Sequence, residues 1–447
     1  MAQTKVRGFG FRGWMLFIYQ FLAYLAMVAF TNWPMNVLGS TISGLAGQSE
    51  NFVANVYTAG YLIGVIVQLI LSRSIGKLKS IKRFAAILGV IAMAFCGSIT
   101  FIDPFKATWL WIICFFFTCV FIAIWCTFSI GVLIGQWFPR RKGTFMGLVT
   151  IAFPAGNALI STFIASVFSA PNGPSMTGAL LPYFIACVIG LIIGIALVPD
   201  FPEQCGAYRD NDKNMSPEMA NAMMLQETEN RKTTVWTFKE TITSASYWLL
   251  SVPMGFLLAT SIGIMTQSTT IIGQYFALGG TEFTLVTLGI AIIACIGSYV
   301  LGLIDTKFGT RLAMIIAACF MIISGILGLI KSPAALVASL FCLGVFMGAS
   351  SNFTVSGVVQ YWRIEDFPSV FARVNPLANL IQSFSPAVVA LILFSMGYQY
   401  DFMLVGILGV ASLIMLLIFK PSMVKKKDDK LRAAAGKPLD DVLVGRK

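Results

Sequence analysis

The charged residues of this 447-residue chain all fall outside the middle of its apolar segments. The 31 Lys and Arg and the 19 Asp and Glu occupy short gaps between apolar runs, one central polar stretch and the two tails. Most of the uncharged runs are long enough to cross a bilayer, which takes about 20 helical residues. Because 57% of the residues are hydrophobic, a soluble fold would have no polar face for water. The pattern predicts an all-α polytopic membrane protein.

Twelve membrane spans give the best division of the chain. Asn, Gln, Ser and Thr are tolerated inside them because a helix satisfies its own backbone and side chains pair across helices. We predict the spans 14–38, 52–72, 84–102, 107–134, 144–169, 178–198, 247–274, 283–304, 312–330, 334–360, 374–397 and 401–419. They form two six-helix pseudo-repeats with a polar linker and a basic tail, giving the parts 1–198, 199–246, 247–419 and 420–447.

The basic residues predict the orientation. Only Lys106 and Lys331 lie on one side of the predicted membrane, and the other 29 Lys and Arg lie on the other side. This asymmetry places both termini in the cytoplasm, and we expect the protein in the plasma membrane. The net charge of +12 is thereby explained by topology, and no nucleic-acid partner is expected. The run Lys425–Lys427 is interpreted as a solvated anchor beside anionic lipid headgroups.

The linker has two local signals. Ser216 followed by Pro217 and Glu218 is typical of a helix start, with a capping hydroxyl, a proline in the first turn and an acid at the positive end of the dipole. Four aromatic residues then predict a segment lying in the membrane interface before the seventh span: Trp236, Phe238, Tyr247 and Trp248.

Two short motifs recur at equivalent places in the two halves. Ser72-Arg73-Ser74-Ile75-Gly76-Lys77 follows the second span, and Asp305-Thr306-Lys307-Phe308-Gly309-Thr310-Arg311 follows the eighth. Gln136-Trp137-Phe138-Pro139-Arg140-Arg141 follows the fourth span, and Gln360-Tyr361-Trp362-Arg363 follows the tenth. Six spans, a linker and six more spans with matching loops indicate a duplicated transporter.

In these features the chain resembles the major facilitator superfamily over essentially its whole length. The resemblance implies alternating access, in which the two halves rock about a substrate site near the middle of the membrane. Asp305 lies four residues before Gly309, whereas the family's acid lies three before its glycine, and Arg73 takes the acid's place in the first half. The loop residues expected to gate one side are Arg73, Gly76, Asp305, Gly309 and Arg311.

A narrower resemblance is to the oxalate/formate antiporter subgroup. The segment from Trp137 to Gly143 is similar to the subgroup's W-F-P-x-x-R-G loop, with Lys142 in place of the arginine, and Phe201 to Ala207 resembles the segment after its sixth helix. Its dicarboxylate carriers use an arginine in helix 8 and a lysine in helix 11. Spans 283–304 and 374–397 contain no Lys or Arg. The resemblance therefore does not imply a dicarboxylate substrate.

Polar residues at helical spacing mark the candidate substrate site. Tyr57 and Tyr61, and likewise Asn375, Asn379 and Gln382, each share one face of a helix. Gln267, Thr270 and Gln274 repeat this spacing in the seventh span. Such residues also bond neighbouring helices, at about 0.6 kcal/mol per contact, but polar stripes in seven spans favour a cavity. The predicted substrate-binding residues are Tyr24, Tyr57, Tyr61, Trp125, Asn157, Gln267, Thr270, Asn352, Asn379 and Gln382.

Two other features of the spans are assigned to helix shape and packing. Gly60 and Gly64 stand at the GxxxG spacing, which favours close helix contact over a ligand site. Five prolines are expected to kink helices around the cavity: Pro34, Pro154, Pro253, Pro376 and Pro386.

An enzyme is not expected. The chain has no histidine, and the predicted spans contain no buried acid to act as a base, nucleophile or metal ligand. Neither a phosphate loop nor cysteine pairs at metal spacing are present, so we expect no cofactor and no metal. A sensor built on a transporter scaffold is the alternative class, and a flux measurement separates the two.

The uncharged site limits the mechanism. Carriers that move protons use a buried Asp, Glu or His, so we expect exchange, uniport, or cotransport of a proton carried on the substrate. A doubly charged substrate would lose its hydration without a counter-ion, at a cost of several kcal/mol. A monomeric carrier for a monocarboxylate or related organic anion is therefore predicted, with a multidrug or amphipathic-solute exporter as the alternative.

Overall fold

The computed structural model describes residues 9–72, 78–157, 160, 175–212, 215–232, 234–277, 280–437 and 439. These residues form helices and connecting turns, without β-strands. In the N-terminal half the helices are α1 Gly10–Met27, α2 Trp33–Leu45, α3 Phe52–Ser72, α4 Ile81–Phe101, α5 Thr108–Cys126, α6 Leu133–Trp137, α7 Lys142–Val149, α8 152–157 and α9 Met176–Leu197. The linker contributes α10 Pro217–Lys232 and α11 Phe238–Ile242.

The C-terminal half begins with a helix that ends in a short break. Its helices are α12 Ala245–Thr266, α13 Ser268–Ile272, α14 Thr281–Phe308, α15 Thr310–Gly328, α16 Pro333–Met347, α17 Ala349–Tyr361, α18 Phe367–Ser395, α19 Tyr398–Ile418 and α20 Pro421–Ala434.

Eleven helices among the described residues are long and apolar enough to span a membrane. Each overlaps one of the predicted spans, and the remaining prediction, 144–169, lies partly outside the described residues. The protein is thus a multi-pass membrane protein with the predicted all-α class. The first helix is longer than predicted, since the chain stays helical from Gly10 to Leu45.

Two membrane helices contain a π-helical turn. One covers Val28–Asn32 between α1 and α2, and the other covers Thr127–Val132 between α5 and α6. The extra residue in such a turn redirects the side chains of the helix, and π turns recur at functional sites. Pro34 is the second residue after the first π turn, while Pro376 and Pro386 lie inside α18.

Small residues allow close packing within each bundle. A Cβ atom added to Gly60 would lie 2.8 Å from the Cβ atom of Cys119 in α5, and one added to Gly64 would lie 3.1 Å from that of Ala123. In the C-terminal half, a Cβ atom on Gly325 of α15 would lie 2.5 Å from the Cα atom of Gly406 in α19. The predicted GxxxG packing face on α3 is confirmed.

The two halves also meet directly through small residues. A Cβ atom on Gly147 of α7 would lie 2.8 Å from the carbonyl oxygen of Ser298 and 3.2 Å from the Cα atom of Gly302, both in α14. One turn away, the backbone N–H of Thr144 donates to Thr306 Oγ1 at 2.9 Å, and the two hydroxyls are 3.0 Å apart. These contacts close one side of the molecule between the halves.

That side also carries most of the basic loops, and we call it the basic face; it comprises the loops 138–142 and 362–366, the linker and α20. Arg432 of α20 is buried there and pairs with Asp366, with Glu365 at 2.7 Å and with Asp428 at 3.1 Å. Arg363 Nε donates to Asp428 Oδ2 at 2.9 Å, the same oxygen that Arg432 contacts. Burial raises the pKa of Asp366 to about 6, against the effects of a Thr234 hydrogen bond and the Arg432 charge.

This charge cluster corrects two expectations. Trp236 is fully buried, packs edge-on against Trp362 and donates to Asp428 Oδ1 at 2.9 Å, so it packs inside the protein and not against lipid headgroups, whereas Phe238 and Trp248 are exposed. Lys427 pairs with Glu240 at 3.3 Å and is not free for lipid headgroups, whereas Lys425 and Lys426 are exposed. The helix start in the linker is confirmed, since Ser216 Oγ accepts from the N–H of Met219 at 3.2 Å.

The loop between α14 and α15 requires a glycine. Gly309 has φ +96° and ψ 156°, a region of backbone space open essentially to glycine alone. A Cβ atom there would lie 2.7 Å from Gln360 Nε2. Gln360 Oε1 accepts from the N–H of Thr310 at 2.7 Å, and the Tyr361 hydroxyl accepts from the N–H of Arg311 at 3.0 Å. The two loop motifs found in the second half of the sequence therefore contact each other.

We predict that Gly309→Ala lowers the free energy of unfolding by about 1–3 kcal/mol, because the backbone conformation is strained for a residue with a Cβ atom. Gly44→Ala is the matched control, since Gly44 lies in helix α2 and a Cβ atom there meets nothing within 4 Å. Thermal unfolding in detergent should give a lower Tm for the first variant and an unchanged or higher Tm for the second. Equal Tm values would contradict this account of the loop.

We also predict that Arg432→Gln is destabilising by about 3–5 kcal/mol, because it leaves buried carboxylates without their cation. Lys430→Gln changes the same charge at an exposed position of the same helix and should alter Tm little. A similar Tm for the two variants would show that the cluster does not hold α20 in place.

Candidate functional site

A cavity of about 70 Å³ lies between the two halves in the middle of the membrane helices. It is bordered by helices of both bundles, and all its lining residues are uncharged. Apolar residues such as Phe153, Ile262 and Phe371 form much of the wall. The polar lining residues are Tyr24, Tyr61, Thr127, Ser350, Ser351, Thr354, Asn375, Asn379 and Gln382.

One side of this cavity is formed by Tyr61, which is stacked on a second tyrosine of α3, Tyr57. The rings of Tyr57 and Tyr61 are 4.4 Å apart on α3. The Tyr61 hydroxyl is 3.2 Å from Thr31 Oγ1 in the π turn of the first membrane helix, and the Tyr57 hydroxyl donates to Asn32 Oδ1 at 3.2 Å. The π turn thus positions two polar groups that hold the tyrosine pair.

Hydrogen bonds cross from one bundle to the other around the cavity. Asn375 Nδ2 of α18 donates to Thr127 Oγ1 at 3.0 Å, and Thr127 lies in the second π turn. Further along the contact between the halves, Asn352 Nδ2 of α17 donates to the Gly143 carbonyl oxygen of α7 at 3.4 Å. Movement of one bundle against the other would break these bonds, so the polarity of the cavity is linked to the arrangement of the two halves.

The structure brings four of the predicted binding residues to the cavity: Tyr24, Tyr61, Asn379 and Gln382. Tyr57 lies directly behind Tyr61. Whether these residues bind a substrate remains a prediction.

Three further predicted residues lie elsewhere. Trp125 is buried inside the first bundle and donates to the Tyr19 hydroxyl at 3.1 Å. Asn352 is buried at the contact between the halves, where it donates to the Gly143 carbonyl at 3.4 Å. Asn157 is half-buried and does not line the cavity. For Trp125 and Asn352, bonding between helices accounts for the polar atoms.

The prediction of one polar face on the seventh span is wrong, because the helix does not continue. Helix α12 ends at Thr266, and Gln267 has a non-helical backbone with φ −117° and ψ 11°. Gln267 and Thr270 therefore lie beyond the end of α12, outside the cavity lining, and Gln274 is exposed.

The serines of α17 were not among the predicted binding residues. Helix α16 ends at Met347, and the run Ala349-Ser350-Ser351-Asn352-Phe353-Thr354 follows Gly348. Ser350, Ser351 and Thr354 all line the cavity. This run of small polar residues after a glycine in an apolar span was the signal available in the sequence.

The predicted gating residues have separate positions. Arg73 and Gly76 lie outside the described residues. Asp305 accepts a hydrogen bond from Thr310 Oγ1 at 2.6 Å. The positive charge of Lys142 in α7 also interacts electrostatically with the Asp305 carboxyl group. Arg311 donates to the carbonyl oxygens of Leu416 and Leu417 at 2.9 and 3.1 Å, which caps the end of α19 within its own bundle.

The sequence analysis expected no buried acid in the spans, and the structure corrects this. Asp305 is in the last turn of α14 and is 3% exposed, and Asp401 is in the first turn of α19 and is 1% exposed. Helix α14 extends past residue 304, where the predicted span ended. Helix α19 begins at Tyr398, before the predicted start of its span at 401. The membrane helices therefore do contain buried carboxyl groups that can bind a proton.

Comparisons with known proteins bear on the fold. Residues 249–444 match the family model of the Major Facilitator Superfamily, which is under half of the chain. No curated protein sequence matches the chain.

Several solved structures are similar over most of the chain. The proton:xylose symporter XylE bound to 6-bromo-6-deoxy-D-glucose has a TM-score of 0.69 at 15% identity, covering 92% of this chain and 96% of that chain. A double-tryptophan mutant of XylE has a TM-score of 0.67 at 14% identity, covering 93% and 96%. The human organic anion transporter MFSD10 (TETRAN) has a TM-score of 0.61 at 13% identity, covering 90% and 98%. The chain therefore has the major facilitator fold, and its C-terminal half matches the sequence model of that superfamily.

Proposed function

We propose that the protein is a secondary transporter that moves a small organic solute, a monocarboxylate or related organic anion, by alternating access. The observation that supports this most is the uncharged polar cavity between the two halves. A site at that position is exposed to one side or the other when the halves rock. Hydrogen bonds such as that between Asn375 and Thr127 would break and reform in each cycle.

The size of the cavity favours a small solute. A water molecule needs about 10–15 Å³ of cavity measured in this way, so a volume of about 70 Å³ holds on the order of five water-sized groups. A short-chain carboxylic acid fits this space in the closed arrangement. The multidrug alternative requires a larger cavity, and no feature of this central site favours it.

The chemistry of the lining favours at most one charge. Asn375, Asn379 and Gln382 offer amide N–H donors, and hydroxyls from both halves add further donors and acceptors. Without a cation, a carboxylate loses hydration that these dipoles replace only in part. A monocarboxylate that crosses together with its own proton avoids this cost, and exchange of one monoanion for another or uniport is also compatible with the site.

The similar structures do not select a substrate. One is a xylose symporter and another an organic anion transporter, and identities of 13–15% support the shared fold alone. The substrate class is therefore argued from the lining residues of this chain.

The test is uptake and counterflow exchange of labelled solutes in proteoliposomes. The panel contains short monocarboxylates, a dicarboxylate, a hexose and a lipophilic cation. We expect saturable exchange of one or more monocarboxylates and none of the dicarboxylate. Preference for the hexose or the dicarboxylate would contradict the proposed substrate class, and absence of flux for every member would favour the sensor.

We predict that Tyr61→Phe lowers kcat/KM for exchange by about fivefold, which corresponds to one hydrogen bond worth ~1 kcal/mol. The variant removes only the hydroxyl that faces Thr31 and the cavity. Tyr299→Phe makes the same change at a position 40% exposed on the outside of α14, and its exchange kinetics should equal those of the wild type. An equal effect of both substitutions would count against a binding role for Tyr61.

We predict a clear difference in thiol protection between two sets of introduced cysteines. In a background lacking the nine native cysteines, Asn379→Cys and Gln382→Cys should be protected from a polar thiol reagent by the transported solute. Gln267→Cys lies beyond the end of α12 and outside the cavity, so its labelling rate should not change. Protection of position 267 alone would place the substrate site at the break after α12.

A further inference from the structure

A second pocket lies away from the central cavity, within the C-terminal bundle between α12, α18 and α19. Its volume is about 130 Å³. The wall is almost entirely apolar and includes Phe256, Ile381, Phe384 and Leu404. Asp401, in the first turn of α19, is the titratable residue among those that line it. We call this space the side pocket.

Asp401 is buried without a partner. Its side chain is 1% exposed, and neither carboxylate oxygen has a hydrogen bond in the structure. An acid in the first turn of a helix is favoured by the helix dipole, but an exposed acid serves that purpose equally well. Burying an unpaired carboxylate costs several kcal/mol, so the helix start alone does not account for this position.

The neighbours of Asp401 give it no charge. From α12 and α18 the pocket receives the hydroxyls of Thr260 and Ser385, and both donate to backbone carbonyls of α12. On α15, Gly328 packs against Phe402, the residue that follows Asp401. On α19 itself, the adjacent titratable residue is Tyr400, which is 43% exposed, and the hydroxyl of Tyr398 is 2.9 Å from that of Tyr275. Among the described residues that line the side pocket, none is a cation.

The edge of the side pocket is open to the outside of the bundle. Phe384 is 46% exposed and Val388 is 39% exposed, and both lie in the middle of a membrane helix, where exposure means contact with lipid. A ligand can therefore enter from the membrane. Phe256 and Phe384 present aromatic rings, which attract a cation held over their faces.

We propose that the side pocket binds a lipophilic monocation from the bilayer, with its positive group beside the Asp401 carboxylate and its apolar part between α12, α18 and α19. The ligand class follows from charge complementarity with a buried, unpaired acid in an apolar wall. The volume corresponds to on the order of ten water-sized groups, which suits a cation with a single aromatic ring. This site is separate from the central cavity, so the proposal does not depend on which solute the protein transports.

Binding at this site exchanges a proton for the cation. Without a ligand, the carboxyl group holds a proton, because the neutral form avoids an unpaired buried charge. When the cation binds, the O–H bond of Asp401 breaks, the proton leaves to water and the carboxylate pairs with the cation. The apparent affinity therefore rises with pH, by up to about tenfold per pH unit, because one proton is released for each cation bound.

The experiment uses the full-length protein in lipid nanodiscs and radiolabelled phenyltrimethylammonium, a permanent cation with one aromatic ring. We expect saturable binding that strengthens from pH 6 to pH 8 and that weakens by more than about tenfold in Asp401→Asn. Asp401→Glu keeps a carboxyl group and should retain the pH dependence. Glu282→Gln removes an exposed acid at the start of α14 and is the matched control with unchanged affinity.

The same measurements define the results that overturn the proposal. Equal affinity in the wild type and Asp401→Asn, or an affinity independent of pH, would show that the cation binds elsewhere. Loss of binding in Gln382→Leu but not in Asp401→Asn would place it in the central cavity. A third result would also overturn the proposal: the wild type shows no saturable binding, and Asp401→Asn has a higher Tm than the wild type. Asp401 would then bind only its proton.

Discussion

Polar groups inside the bilayer of this protein can pair only with groups supplied by the chain, because hydrocarbon offers no hydrogen bonds. The backbone meets this requirement by forming helices. At the cavity, side chains meet it by bonding between the halves, as Asn375 does to Thr127. The same bonds make the cavity polar and hold the two bundles together. A change in their arrangement therefore changes both the site and the closure of the molecule.

The charged residues follow the same rule at the basic face. Arg432 pairs with three carboxylates, and Arg311 donates to the carbonyl oxygens at the end of α19. These interactions tie the C-terminal helix and the loops to one bundle. Between the bundles, that face combines the neutral pair Thr144 and Thr306 with the positive charge of Lys142, which acts on the Asp305 carboxyl. Opening that side consequently breaks neutral hydrogen bonds and small-residue contacts and moves Lys142 of α7 away from Asp305 of α14.

The sequence predicted the membrane helices well because the absence of charge over about 20 residues is a strong signal. It also predicted the Tyr57 and Tyr61 face, since α3 is a regular helix and its periodicity holds. It failed for Gln267 and Thr270 because the break after Thr266 ends the periodicity. No local pattern reveals which polar residues meet across the bundles, so Trp125 and Asn352 were assigned to the cavity although they bond helices. Asp401 was missed as a buried acid because it stands at a span boundary, where an exposed acid is ordinary.

The central claim is that the halves move against each other around the cavity. Cysteines at Thr144 and Thr306, whose hydroxyls are 3.0 Å apart, test it most directly when joined by a short thiol cross-linker in the background lacking native cysteines. The matched control pair is Ser324 and Ser339, whose hydroxyls are 3.2 Å apart within one bundle. We predict that cross-linking the first pair stops solute exchange in proteoliposomes, that cleavage of the linker restores it, and that the second pair has no effect. Undiminished exchange with the first pair fully cross-linked would contradict the account.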